Sequence, residues 1–151
     1  MKSIFMTLMI AMTPVFELRA AIPFAVVSGM SIKSAFIISV IGNMLPVPIL
    51  VIFTRKVFEW LRQKSEHLNK FVIRMEEKAE KNKALVEKST FWGLLLLVAI
   101  PLPGTGAWTG SLVAAMLDMR LKRSLPAIFA GVIIAGIIIT TITYGTKAFM
   151  L

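Results

Sequence analysis

Two stretches of this chain carry no charge: residues 34–54, 21 residues, and residues 125–146, 22 residues. An α-helix rises about 1.5 Å per residue, so about 20 residues match the hydrocarbon thickness of a bilayer. Both stretches read as transmembrane helices. Pro46 and Pro48 lie inside the first and are expected to kink or locally unwind it. Over all 151 residues, 57% are hydrophobic and 17% are charged, where soluble domains average about 45–50% and 25%. That balance argues against disorder and against an ordinary soluble enzyme.

Two further apolar segments are interrupted. Residues 4–27 contain Pro14, Glu17, Arg19 and Pro23. Residues 91–117 break at Pro101-Leu102-Pro103-Gly104-Thr105-Gly106. The half-segments are too short to span a bilayer and long enough for half-helices. Each pair is expected to form a re-entrant hairpin, whose freed backbone groups must face protein or a wet cavity. The amino-terminal apolar run is not read as a cleaved signal, because no A-x-A site follows and Glu17 and Arg19 come too soon.

The charges set the expected orientation. Residues 55–88 hold ten Lys/Arg and six Glu. The positive-inside rule puts this segment in the cytoplasm. A re-entrant 91–117 returns Arg120, Lys122 and Arg123 to the same side, and leaves Lys2, Lys33 and both termini outside. The formal net charge of +9 therefore reads as topology and not as a nucleic-acid partner. Phe58, Leu61, Leu68, Val72, Met75, Ala79 and Val86 recur at helical spacing. They predict an amphipathic helix or helical pair over 57–87, expected to be a linker without a site. His67 lies among its charges and reads as a surface residue. With no cysteine, there is no thiolate nucleophile and no Cys-ligated metal. Nothing in the sequence marks a metal, a cofactor or a catalytic constellation, so the chain is not expected to be an enzyme.

A shift of 89 residues superposes Pro14 on Pro103, Ala25 on Ala114, Met30 on Met119, Lys33 on Lys122 and Gly42 on Gly131. The order of elements repeats as well. Residues 3–54 hold hairpin 4–27 and span 34–54; residues 90–147 hold hairpin 91–117 and span 125–146. One crossing per copy inverts the second relative to the first, as in secondary transporters whose sites lie at broken helices. The expected fold is thus an all-α integral membrane protein. It is one membrane domain, an inverted repeat of re-entrant hairpin plus transmembrane helix, joined by a cytoplasmic amphipathic linker.

Ionisable residues at membrane depth are functional candidates. Glu17 is a candidate proton-titrating group, and Arg19 offers a bidentate fork for phosphate. The same two residues would also serve as an ion pair that locks the hairpin. At the second break, prolines 101 and 103 end one half-helix, Gly104 and Gly106 permit reversal, and Thr105 is a candidate cap for the next. That helix start, with Thr109 one turn on and Trp108 as a flat wall, is an anion-site candidate. It would equally serve as a closing turn. Asn43 needs a partner in hydrocarbon and is expected to line the path or to tie helices together.

Three motifs carry a resemblance: Phe16-Glu17-Leu18-Arg19-Ala20-Ala21-Ile22-Pro23, Gly42-Asn43-Met44-Leu45-Pro46, and Ile100-Pro101-Leu102-Pro103-Gly104-Thr105-Gly106-Ala107-Trp108-Thr109-Gly110. The chain resembles the bacterial and archaeal family named "putative small multidrug export protein". More distantly it is similar to the DedA (VTT-domain) membrane proteins, which have paired re-entrant hairpins and include undecaprenyl phosphate translocases. Arg120 and Arg123 are loose counterparts of the arginine-rich motif of that group. The resemblance implies a prokaryotic inner-membrane transporter or lipid flippase, working among membrane lipids on a lipid-phosphate or lipophilic small molecule. An exporter of lipophilic cations and a non-transporting structural subunit are the competing expectations. Two full spans bury little core alone, so a homodimer is expected.

Overall fold

The computed structural model describes residues 1–87 and 90–149, so Lys88, the last residue of the expected linker, lies outside it. Among the described residues the chain is helical, with no strand. α1 (Lys2–Met12) and α2 (Glu17–Val27) form one broken pair, and α6 (Thr90–Ala99) and α7 (Ala107–Met116) form another. α3 (Ile32–Met44) and α4 (Val47–Lys64) follow the first pair, then α5 (Glu66–Glu87); α8 (Leu121–Phe149) follows the second. Two runs are long and apolar enough to cross a membrane, Ile32–Thr54 and Leu121–Gly145.

The first run is not one straight helix. α3 stops at Met44 and α4 starts at Val47, with Pro46 as its N-cap residue and Pro48 in its first turn. Proline is at home there, because the first N–H groups of a helix have no intrahelical acceptor. α4 then runs past the apolar stretch to Lys64, and Ser65, in extended backbone, separates it from α5. The amphipathic segment is therefore a helical pair whose first member grows out of the span.

α2 and α7 end in the same way. Ser28 N donates to Phe24 O (2.9 Å), Gly29 N to Val26 O (3.1 Å) and Met30 N to Ala25 O (3.0 Å). Leu117 N donates to Val113 O (3.0 Å), Asp118 N to Ala115 O (3.2 Å) and Met119 N to Ala114 O (2.9 Å). Every donor and acceptor of the first set lies 89 residues from its counterpart. The left-handed residue that each turn requires is Gly29 (φ +86°) in one and Asp118 (φ +51°) in the other. α3 and α8 then begin at Ile32 and Leu121, again 89 apart.

Packing follows the same correspondence. α1 lies on α3, and α6 on α8. Gly42 lets α1 approach so closely that a Cβ there would sit 2.8 Å from Ala11 Cβ and 2.9 Å from Leu8 O. At Gly131 a Cβ would sit 2.8 Å from Leu95 O on α6. Small residues at such crossings allow backbones to meet where lipid removes the hydrophobic driving force. The core joins Ile22, Leu94, Leu97, Leu112, Ile128 and Val132 from both halves. The outer faces of the two apolar runs stay bare: Ile37, Ile41, Ile49, Ile52, Ile134, Ile137 and Ile142 are all exposed. A contiguous apolar surface of that kind suits lipid and not water. Replacing Gly131 by Leu must separate α6 from α8. Overpacking costs about 1–3 kcal/mol, and a lowered unfolding midpoint of the purified protein in detergent is the measurement that checks it.

Candidate functional site

The two broken pairs meet tip to tip, and Glu17 is the centre of the contact. It opens α2 with φ at +45°, a backbone conformation that L-residues with long side chains rarely adopt. Its carboxylate is directed at the other pair. Oε1 accepts the backbone N–H of Trp108 at 3.1 Å, and the Ala107 N–H lies beside the same carboxylate. These are the first two N–H groups of α7, which lack intrahelical acceptors. Glu17 therefore caps α7 from another element, and the positive end of that helix favours its charge. The N-cap residue itself is Gly106, with φ +115° and ψ −170°. Only glycine is at ease in that region, and a Cβ there would collide with the Glu17 carboxylate, 2.8 Å from its Cδ.

Two reciprocal ties flank this cap. Arg19 Nη2 donates to Thr105 O at 2.9 Å and lies 3.4 Å from Thr105 Oγ1. Trp108 Nε1 donates to Met12 O at 2.9 Å. Each half thus sends one side chain across to a main-chain carbonyl at the break in the other. The carbonyls are among those that a broken helix leaves without partners, and burial makes such groups costly unless bonded. Positions 19 and 108 correspond under the 89-residue offset, as do positions 17 and 106.

Glu17 and Arg19 both line two cavities. One has a volume of about 120 Å³ and is lined by Pro14, Glu17, Arg19, Lys78, Gly104, Thr105 and Thr109, together with Val15 and Pro103. Thr109 is buried at 4% exposure, and its hydroxyl has no hydrogen bond among the described residues. The other, of about 10 Å³, lies between Glu17, Arg19, Asn43, Pro101, Gly106 and the α8 residues Val132, Ala135 and Ile139. It is about the size of one water. Asn43 is 1% exposed, and its Oδ1 has no hydrogen-bond partner among the described residues.

The structure thus brings Glu17, Arg19, Thr105 and Thr109 to one cavity and Asn43 to the next. Four expectations need correction. Thr105 does not cap α7: its Oγ1 accepts from Leu102 N (3.1 Å) and donates back to Ile100 O (2.6 Å), closing the preceding turn. Trp108 does not line either cavity as a wall, and its one donor goes to Met12 O. Pro23 does not break the first pair; the interruption lies between Met12 and Glu17, and Pro23 sits inside α2. Its missing N–H costs that helix one bond, to the carbonyl of Arg19. The amphipathic segment is not remote from the site, because α5 packs on α6 and α7. Lys78 reaches the cavity, and Asn82 Nδ2 lies 3.4 Å from Gly104 O. Neither residue stands out among the many charged and polar side chains of that segment.

A family profile described as "Putative small multi-drug export protein" matches residues 17–138. No curated protein and no solved structure matches the chain significantly. The profile spans most of the sequence, from Glu17 into α8, so the chain belongs to this family. Its membership and its apolar helices make it a membrane protein. Alanine at Gly106 must leave both its φ and the Glu17 contact. The backbone alone contributes about 1–3 kcal/mol, and Trp108→Phe is expected to cost about 1 kcal/mol for the bond to Met12. Denaturant titration of both variants in mild detergent tests the order: Gly106→Ala falls further than Trp108→Phe.

Proposed function

Taking membership of the small multi-drug export family as the premise, we propose that this protein is a transporter in which two opposed re-entrant hairpins form an inverted repeat. The hairpins are α1–α2 and α6–α7, and the substrate passes between their tips near the bilayer midplane. The matched helix ends at an 89-residue offset support the repeat. The shortness of the four half-helices supports re-entry, since ten or eleven residues do not cross a hydrocarbon core of about 30 Å. Ser28 then lies outside and Lys122 in the cytoplasm. A cysteine placed at each position in this naturally cysteine-free chain is expected to react with an impermeant maleimide from those respective sides. Labelling of Lys122→Cys from outside would mean that α6–α7 crosses fully.

The observation that carries the transport reading is the position of Glu17. One carboxylate caps the opposite hairpin and forms part of the wall of both cavities. Protonation removes its charge and weakens the cap on α7, which loosens the contact between the tips. Release of the proton restores it. That is the two-state element a proton-coupled transporter needs. Arg19, with the Thr105–Thr109 turn, holds an anionic headgroup of an amphipathic, polyprenyl-phosphate-like substrate, and Asn43 lines the continuation of the path. In proteoliposomes with a fluorescent short-chain polyprenyl phosphate, Glu17→Gln and Arg19→Ala are each expected to slow transport by roughly tenfold or more, the worth of one charged hydrogen bond. Normal rates in both variants would sink the reading.

A second reading, export of lipophilic cations, is favoured by a different observation. A cavity of about 700 Å³ opens between α4, α5 and the end of α7. Glu59, Glu77 and Glu80 line it over a floor of Phe58, Leu112 and Met116, while Glu76 is paired with Arg62. Acidic walls over an apolar floor suit a hydrophobic cation. Transport of such a cation that survives Arg19→Ala and falls with Glu80→Gln would favour this second reading.

A further inference from the structure

The transporter reading draws its site from the two hairpins alone. The structure adds a third contributor. α5 lies across α6 and α7 with Val72, Met75, Ala79 and Val86 buried beneath it. Lys78 and Asn82 are one turn apart at the edge of that buried stripe, and Asn82 Nδ2 reaches toward Gly104 O at the hairpin tip. The same edge brings Lys78 to the 120 Å³ cavity, which Arg19 also lines. Two of the other three lysines of α5 are engaged along their own helix, Lys70 with Glu66 and Lys83 with Glu87. Lys78 has no ion pair of that kind among the described residues. Thr109, a buried residue whose hydroxyl makes no hydrogen bond among the described residues, lines the same cavity.

We propose that this cavity is a single oxyanion site, for a phosphate or carboxylate group, and that Lys78 of α5 is one of its binding residues together with Arg19 and Thr109. The proposal rests on the anionic-substrate reading and deepens it. Arg19 fixes orientation through its planar fork, and part of that fork is already committed to Thr105 O. Lys78 supplies a mobile point charge from the open side. Thr109 contributes one hydroxyl donor. Glu17 borders the cavity with its carboxylate engaged on the Trp108 N–H, so the negative charge is drawn to one side of the space. The volume suits one headgroup and excludes a nucleotide. Occupancy ties α5 to the hairpin tips, so the linker helix senses whether the site is filled.

The test is calorimetric titration of the purified full-length protein in a neutral detergent. The probes are n-decyl phosphate, inorganic phosphate and decyltrimethylammonium. Wild type is expected to bind decyl phosphate. Lys78→Ala is expected to weaken it roughly tenfold, as loss of a charge-assisted bond does. Lys78→Arg retains binding, and the exposed neighbour control Lys81→Ala leaves it unchanged. Inorganic phosphate binding as tightly as decyl phosphate assigns the site to a free oxyanion, whereas tighter decyl phosphate assigns it to an amphiphile. If Arg19→Ala loses binding and Lys78→Ala does not, the role of Lys78 is overturned and the anionic reading stands. If wild type binds decyl phosphate no better than decyltrimethylammonium, both fall. Lys78 is exposed, so its variants are expected to fold; an unchanged unfolding midpoint shows that a loss of binding is not a loss of fold.

Discussion

The tip-to-tip contact depends on one carboxylate that satisfies the start of a helix to which it does not belong. Broken helices at the centre of a protein leave N–H and C=O groups that neither lipid nor an apolar core will accept. In this chain the N–H of Trp108 goes to Glu17, and the carbonyls of Thr105 and Met12 go to Arg19 and Trp108. The breaks therefore complete one another. Neither pair of half-helices has its hydrogen bonds satisfied without the other, so the two tips form one unit. The strained conformation of Glu17 is understandable on the same ground. A left-handed glutamate costs energy, and the cap it makes across the interface offsets that cost.

This arrangement separates what holds the fold from what is left for a substrate. The carboxylate, the indole N–H and one arm of the guanidinium are engaged in joining the halves. The side chains not so engaged are the hydroxyl of Thr109, the ammonium of Lys78 and the amide oxygen of Asn43. The first two line the larger cavity and the third lines the smaller one. Any event that withdraws Glu17 from α7 changes the lining of those two spaces and the stability of the tip contact together.

Much of this was legible in the sequence because it is written in local chemistry. Uncharged runs of spanning length, prolines and glycines at two interior positions, and acid and base inside an apolar stretch give the helices and the breaks. The 89-residue offset, a weak signal as identities, reappears bond for bond at the two helix ends. What remained illegible depends on contacts between distant residues. Thr105 has the residue type of a cap, yet the cap comes from 89 positions before Gly106. Pro23 looks like a breaker, yet tertiary packing holds α2 together through it. Lys78 and Asn82 carry no mark that distinguishes them from their neighbours, since only the crossing of α5 over the second pair brings them to the site.

The correspondence of Glu17 with Gly106 has a consequence for how such a chain could have arisen. Equivalent positions meet at the contact, so two identical copies of the first half would press carboxylate against carboxylate, which disfavours both charges. Two copies of the second half would face glycine with glycine and leave both helix starts uncapped. Only unlike halves place an acid on one side and room for it on the other. A centre built from either half alone would lack this pairing of an acid with the space that receives it.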